Sequence, residues 1–205
     1  DWAEAKLVAE LGEPVNLALN KIPTVKKSAD GSNAQVNSQR PESMATDGII
    51  DTNNYCDFGT DNQRESLYLQ VDLESVELIS QINLWRYWAD GRTYKGTVVA
   101  VSENEDFSNP TVVFNSDSEN VHGFGAGKDE LYEESEAGRQ FELDRLTKGR
   151  YVRVYTYGVN NTATTNHIVE LQVMGHHVED TQKPEGPTLN PVDGKNIRIQ
   201  VEKGK

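Results

Sequence analysis

The chain has one cysteine, Cys56. No disulfide can therefore close within it, and its stability has to come from its core and from any ion it binds. Cys56 itself is expected to be a buried apolar residue. No apolar run approaches the roughly 18 residues that a membrane helix needs. Positive charge is scarce: 20 Lys and Arg stand against 33 Asp and Glu, a net charge of −13. Duplex nucleic acid would be repelled, because such binding depends on neutralising phosphates. An anionic membrane surface is disfavoured for the same reason. Catalytic signatures are missing too. There is no His-Glu-x-x-His, no paired-cysteine metal spacing and no Gly-x-Ser-x-Gly elbow. The Gly-rich stretch Ser118–Gly127 is no phosphate loop, since Lys128 is followed by Asp129 instead of Ser or Thr. Of the acidic residues only Asp90 sits among aromatics, so the opposed carboxylates of a glycosidase are not recognisable.

What is present is a β pattern. The composition, 36% hydrophobic and 26% charged, is that of a folded protein. Leu67, Leu69, Val71 and Leu73 alternate with Tyr68, Gln70 and Asp72, the period of a half-buried strand. Further strands are expected at Leu78–Trp85, Thr97–Ser102, Thr111–Phe114, Arg139–Leu143, Tyr151–Tyr157 and Ile168–Met174. Short strands without crossover helices predict an antiparallel sandwich or jelly roll. Residues 1–14 read as a short helical extension, with Trp2, Leu7, Val8 and Leu11 on one face and Gly12 as a stop. Residues 15–175 form the main domain, with Ser28–Glu42 a loop. Residues 176–205 have linker composition, and Asn196–Glu202 resembles the first strand of a following β module. The chain reads as a piece of a larger protein.

Four segments carry chemistry. Asp47-Gly48 is a tight turn with a hydroxyl, Thr52, five residues on, and Glu170 puts a carboxylate into the apolar run of the last strand; together they offer hard oxygens to a cation. The stretch Trp85–Tyr94 combines aromatics with charge. A sugar offers apolar C–H faces and many hydroxyls, so an aromatic platform beside a rigid donor suits it. Trp85 lies in strand register and is expected in the core, whereas Trp88 is a candidate platform and Arg92 a candidate donor, with Tyr87, Asp90 and Tyr94 beside them. Asp90 and Arg92 also read as a loop-stabilising ion pair. The Gly-rich segment brings His122 and Phe124 as candidates, against the alternative of a flexible surface loop. Asn161, in the loop before the last strand, suits hydroxyl recognition. His167 reads as a packed residue.

The segments Met44–Thr52 and His167–Gly175, with the short strands between them, resemble the discoidin, or coagulation-factor-five/eight type C, β-sandwich over roughly Val15 to Gly175. The bacterial family 32 carbohydrate-binding modules are the nearest branch in character. The missing disulfide departs from the animal branch, and the Ser118–Lys128 insertion looks longer than is usual. The resemblance implies an all-β, galactose-binding-domain-like jelly roll. It implies one structural calcium, held by side chains of Asp47, Thr52 and Glu170 and carbonyls of Met44, Ile49 and Val169, and a sugar-binding arginine at Arg92. The function it implies is non-catalytic binding of galactose- or N-acetylgalactosamine-containing glycans. The module would be a monomer within a secreted or cell-surface bacterial protein, such as a glycoside hydrolase or a mucin-degrading enzyme. A protein-binding adhesion module on the same fold is the alternative.

Overall fold

The computed structural model describes residues 11–159 and 164–178. Most of the N-terminal extension, the tail beyond Val178 and Asn161 lie outside the described residues. Within them nine strands follow in chain order: β1 (Val15–Asn16), β2 (Thr24–Lys27), β3 (Gln35–Val36), β4 (Cys56–Gly59), β5 (Leu67–Arg86), β6 (Val98–Ser102), β7 (Thr111–Asn115), β8 (Arg139–Thr156) and β9 (Thr165–His176). One 3-10 turn, Glu42–Ala45, precedes β4. The strands are ordered β3-β4-β9-β5-β8-β6-β7, with β1 on β9 and β2 on β5. The pairings are antiparallel.

Two strands are longer than the sequence pattern suggests. Leu67–Leu73 and Leu78–Trp85 are the two halves of the 20-residue β5. Arg139–Leu143 and Tyr151–Tyr157 mark the halves of the 18-residue β8, which ends at Thr156. Register breaks between Asp72 and Glu77 and between Ile79 and Gln81 interrupt their ladder. Such irregularities bend a strand and add twist. At the bend Glu74 has φ 73, and Arg150 grips both carboxylate oxygens of Asp72 at 2.7 and 2.9 Å. The bend lets one strand serve both layers of the sandwich. The first half of β5 pairs with β2 and the second half of β8; the second half pairs with β9 and the first half of β8.

The core lies between these layers. Leu67, Leu69 and Val71 belong to one cluster with Ile82, Leu84, Phe141, Ile168, Leu171 and Val173. Cys56 is buried there, and burial pushes its thiol pKa well up. Trp85 is 8% exposed and donates its indole N–H to the Glu136 carbonyl at 3.1 Å, so it is a core residue as expected. The alternating residues of β5 and β8 are not simply solvated. Tyr68 and Tyr155 form a second buried cluster with Phe107 and Tyr151, and Phe124 packs on it. Gly175 sits where β1, β5 and β9 meet: a Cβ there would lie 2.3 Å from the Leu78 carbonyl oxygen.

Candidate functional site

The loop after β5 is built around one arginine. The Gly91 N–H closes a turn onto the Trp88 carbonyl at 3.2 Å. Arg92 then bonds Asp90 in a fork, its Nε donating to Oδ1 at 2.7 Å. That pairing holds the Asp90 carboxyl below its usual range. The guanidinium lies over the Tyr87 ring, 4.3 Å from its centroid. Its Nη1 is 2.9 Å from Nδ1 of His167 on β9. Arginine only donates, so Nδ1 accepts and the imidazole proton sits on Nε2, 3.6 Å from an Asp57 oxygen. Burial pushes the His167 pKa down to about 4, with Asp57 opposing. The ring is therefore neutral at neutral pH. Tyr94, 1% exposed, places its hydroxyl 3.1 Å from the same nitrogen.

Sequence reasoning missed part of this site. Tyr55, just before β4, packs edge-on against Tyr87 and His167, with ring centroids 5.4 Å apart in both pairs. Arg40 lies 3.8 Å over Tyr55. No local pattern flags either residue: Tyr55 is brought in by the adjoining β4, which pairs with β9, and Arg40 by its carbonyl, which accepts the Asp57 N–H at 3.1 Å. His167, read as a packed residue, is central to the group.

A buried ion pair lies beneath. Arg86 and Glu134 side chains, each 2% exposed, approach to 3.6 Å. Arg86 also bonds Thr97 Oγ1 at 2.6 Å and lies under the Tyr94 ring. The Glu134 backbone N–H donates to the Arg92 carbonyl at 3.2 Å. Burial pushes the Glu134 carboxyl up to about 7 against the pull of Arg86.

The other candidates fare differently. Trp88 is half-buried beside Tyr87. His122 is built into the packing instead of standing over the Arg92 group. Its Nδ1 is 2.6 Å from Ser66 Oγ, its Nε2 is 2.6 Å from the Gly96 carbonyl, and its ring packs at a tilt against Tyr155 and Tyr157. Phe124 packs 5.0 Å from Tyr155. The Gly-rich segment is tied down as well: the Asp117 carboxylate accepts the His122 N–H, and the Asn120 side chain accepts the Gly125 N–H. It covers the outer cluster, which explains where His122 and Phe124 go.

The two parts of the expected cation site come together. Glu170, 0% exposed, accepts the Gly48 N–H at 3.1 Å across 122 residues of sequence. Its other oxygen, Oε1, is buried without a hydrogen-bond partner. Burial pushes the Glu170 pKa up to about 7, opposed by that N–H. Asp47 accepts from the Asn54 side-chain amide at 3.2 and 3.0 Å, a contact not anticipated from sequence. Val169 is buried beside Glu170, Met44 and Thr52 are half-buried, and Ile49 is exposed. Among the described residues no three His, Cys, Asp or Glu side chains gather with metal-ligand spacing. Carbonyl and hydroxyl oxygens would have to complete any shell, as calcium tolerates. A buried carboxylate oxygen lacking a donor is costly unless a cation or water meets it, so the residues fit a cation.

No protein-family model matches the chain, and no curated protein is detectably similar in sequence. Solved structures do match in fold. A family 89 glycoside hydrolase from Clostridium perfringens matches with a TM-score of 0.55 at 16% identity over 85% of this chain. The match spans only 16% of that hydrolase's length. A chitosan-binding module from a Paenibacillus chitosanase/glucanase matches with a TM-score of 0.53 at 18% identity, covering 78% of this chain and 99% of the module. The family 32 carbohydrate-binding module of Clostridium perfringens NanJ, solved in complex with galactose, matches with a TM-score of 0.52 at 16% identity, covering 79% and 98%. The chain thus has the β-sandwich fold of such modules, as its discoidin-like resemblance implied.

Proposed function

We propose that the chain is a non-catalytic carbohydrate-binding module for galactose- or N-acetylgalactosamine-type glycans, carried by a larger secreted or cell-surface bacterial protein. The observation that carries this reading is Arg92. Its fork is held by Asp90, laid over Tyr87 and bonded to a neutral His167. A guanidinium fixed in this way loses little freedom when its remaining N–H groups meet neighbouring sugar hydroxyls. Trp88 is the platform for a sugar's apolar face. The galactose in the NanJ module supports the choice of sugar, on a fold shared with this chain. A monosaccharide on an open site has few atoms to bury, so the dissociation constant is in the range of about 10 micromolar to millimolar, with avidity from repeated modules.

Calcium at Asp47 and Glu170 belongs to the same reading. Its role is structural: when bound it supplies positive charge that joins the Asp47 turn to β9. The unpartnered Glu170 oxygen supports it.

Calorimetry on galactose, N-acetylgalactosamine and lactosamine tests the reading. Trp88→Ala should abolish most binding. Arg92→Lys should weaken it tenfold or more, because a point charge cannot replace the planar fork. If sugars bind and both variants match the wild type, the site is elsewhere. The alternative is a protein-binding adhesion module on the same fold. Silence across a broad glycan array would give that reading precedence.

A further inference from the structure

The loop from Arg40 to Tyr55 belongs to both sites. At one end Asp47 faces the Gly48–Glu170 contact. Asp47 is held by the Asn54 amide, and Asn54 is bonded in turn to the Asp51 carbonyl at 2.9 Å. The Asp51 side chain accepts the Asn53 N–H at 2.7 Å. The Asn53 carbonyl accepts Arg40 Nη1 at 2.9 Å. Arg40 stacks on Tyr55, and Tyr55 wedges against Tyr87 and His167, the two rings that hold Arg92. Hydrogen bonds and ring contacts thus run unbroken from the Asp47 carboxylate to the Arg92 guanidinium.

We propose that Tyr55 and Arg40 form a wall of the glycan site that the Asp47 turn holds in place, so that a divalent cation at Asp47 and Glu170 raises glycan affinity without touching the sugar. The proposal rests on the glycan-binding reading above. Tyr55 is a ligand-wall residue; Asn54 is a positioning residue that acts through it. Linkage makes the effect reciprocal: the sugar must raise cation affinity by the same factor. A contiguous route is not itself coupling, so the test measures the coupling directly.

Galactose and N-acetylgalactosamine are titrated into the full chain with calcium and with chelator, and calcium is titrated with and without sugar. Couplings of this kind are typically about five- to 150-fold, so affinity should be at least fivefold higher with calcium, and equally so in the reverse titration. Asn54→Ala should cut that ratio towards one while the sugar still binds. Tyr55→Ala should remove it, and Tyr55→Phe should restore it, because the ring and not the hydroxyl makes the wedge. A thermal melt for each variant shows that it is folded. A calcium-raised melting temperature with the same sugar affinity in both conditions overturns the coupling and leaves the glycan reading intact. Failure of any sugar to bind in calcium overturns both.

Discussion

Glu134 offers the sharpest quantitative test of the buried pair beneath Arg92. The perturbation is Glu134→Gln, which keeps the shape and removes the ionisable group. In the folded chain burial lifts the carboxyl from 4.5 to about 7. Arg86 offsets only part of this, since it stands 3.6 Å away, beyond hydrogen-bond length, and its Nε and Nη1 make no hydrogen bond. Each pH unit is worth about 1.4 kcal/mol between the two protonation states, so ionising the buried group costs about 3 kcal/mol. The favourable contribution of the protonated form is complete below pH 4.5 and gone once pH passes 7, since the folded state binds the extra proton in that window. Urea unfolding of wild type and variant at pH 5 and pH 8, both without calcium, reads the difference. The wild type should lose about 2.5 kcal/mol relative to Glu134→Gln on going from pH 5 to pH 8, the remainder having been lost between pH 4.5 and pH 5. Glu170 shifts in the same direction but is present in both proteins, so it cancels. Parallel pH profiles would refute the reasoning and show that Arg86 keeps Glu134 ionised throughout.

Three further expectations follow from the geometry. Calcium should stabilise the fold by mass action, by about 2.7 kcal/mol at a hundredfold excess over its dissociation constant, and so raise the melting temperature; chelator should reverse this, and an Asp47→Ala variant that responds to calcium like the wild type would remove the site. Gly138→Ala should lower the melting temperature by several degrees in a thermal melt, because φ there is 66 and a Cβ would lie 2.5 Å from Trp85 Nε1, a strain of about 2 kcal/mol or more. In chelator, where no cation at Glu170 intervenes, His167 should keep sugar affinity level from pH 8 to about 5 and let it fall towards pH 4, as the proton that arrives on Nδ1 confronts Arg92; by the same shift, stability present above 6.5 is lost as pH falls towards 4, and a calorimetric pH series with an unfolding series checks both.

The sequence made the sandwich legible wherever aliphatic and other residues alternate along one strand, as at Leu67–Leu73, although both faces there are buried. It did not reveal that β5 and β8 run on through their bends. Polar residues such as Glu74 and Ser75 look like a turn between strands, yet they form the corner at which one strand changes layer. The Asp47–Glu170 contact was legible only through the resemblance, because nothing local joins residues 122 apart. Arg92 and Asp90 were visible as a pair two positions apart. Tyr55 and Arg40 were not, since Tyr55 meets Tyr87 and His167 only through the pairing of β4 with β9, and Arg40 reaches the group by lying over Tyr55. His122 misled because a histidine in a Gly-rich stretch looks mobile, whereas Ser66 and the Gly96 carbonyl occupy both its nitrogens.

The pairing of β1 with the end of β9 has a mechanical consequence. Val15 lies opposite Gly175, and Asn16 opposite Met174, so the main domain is entered and left at neighbouring points. Placed between two stretches of polypeptide, such a unit hangs as a pendant beside the tether and adds almost nothing to its contour length. A pull on the tether loads the two-residue β1 end-on and peels it from β9 one bond at a time, before the long β5–β8 ladder carries any force. Under tension the first event should be a small extension at modest force, with the β5, β8 and β9 framework still folded, which single-molecule stretching would record as a step separate from the main rupture.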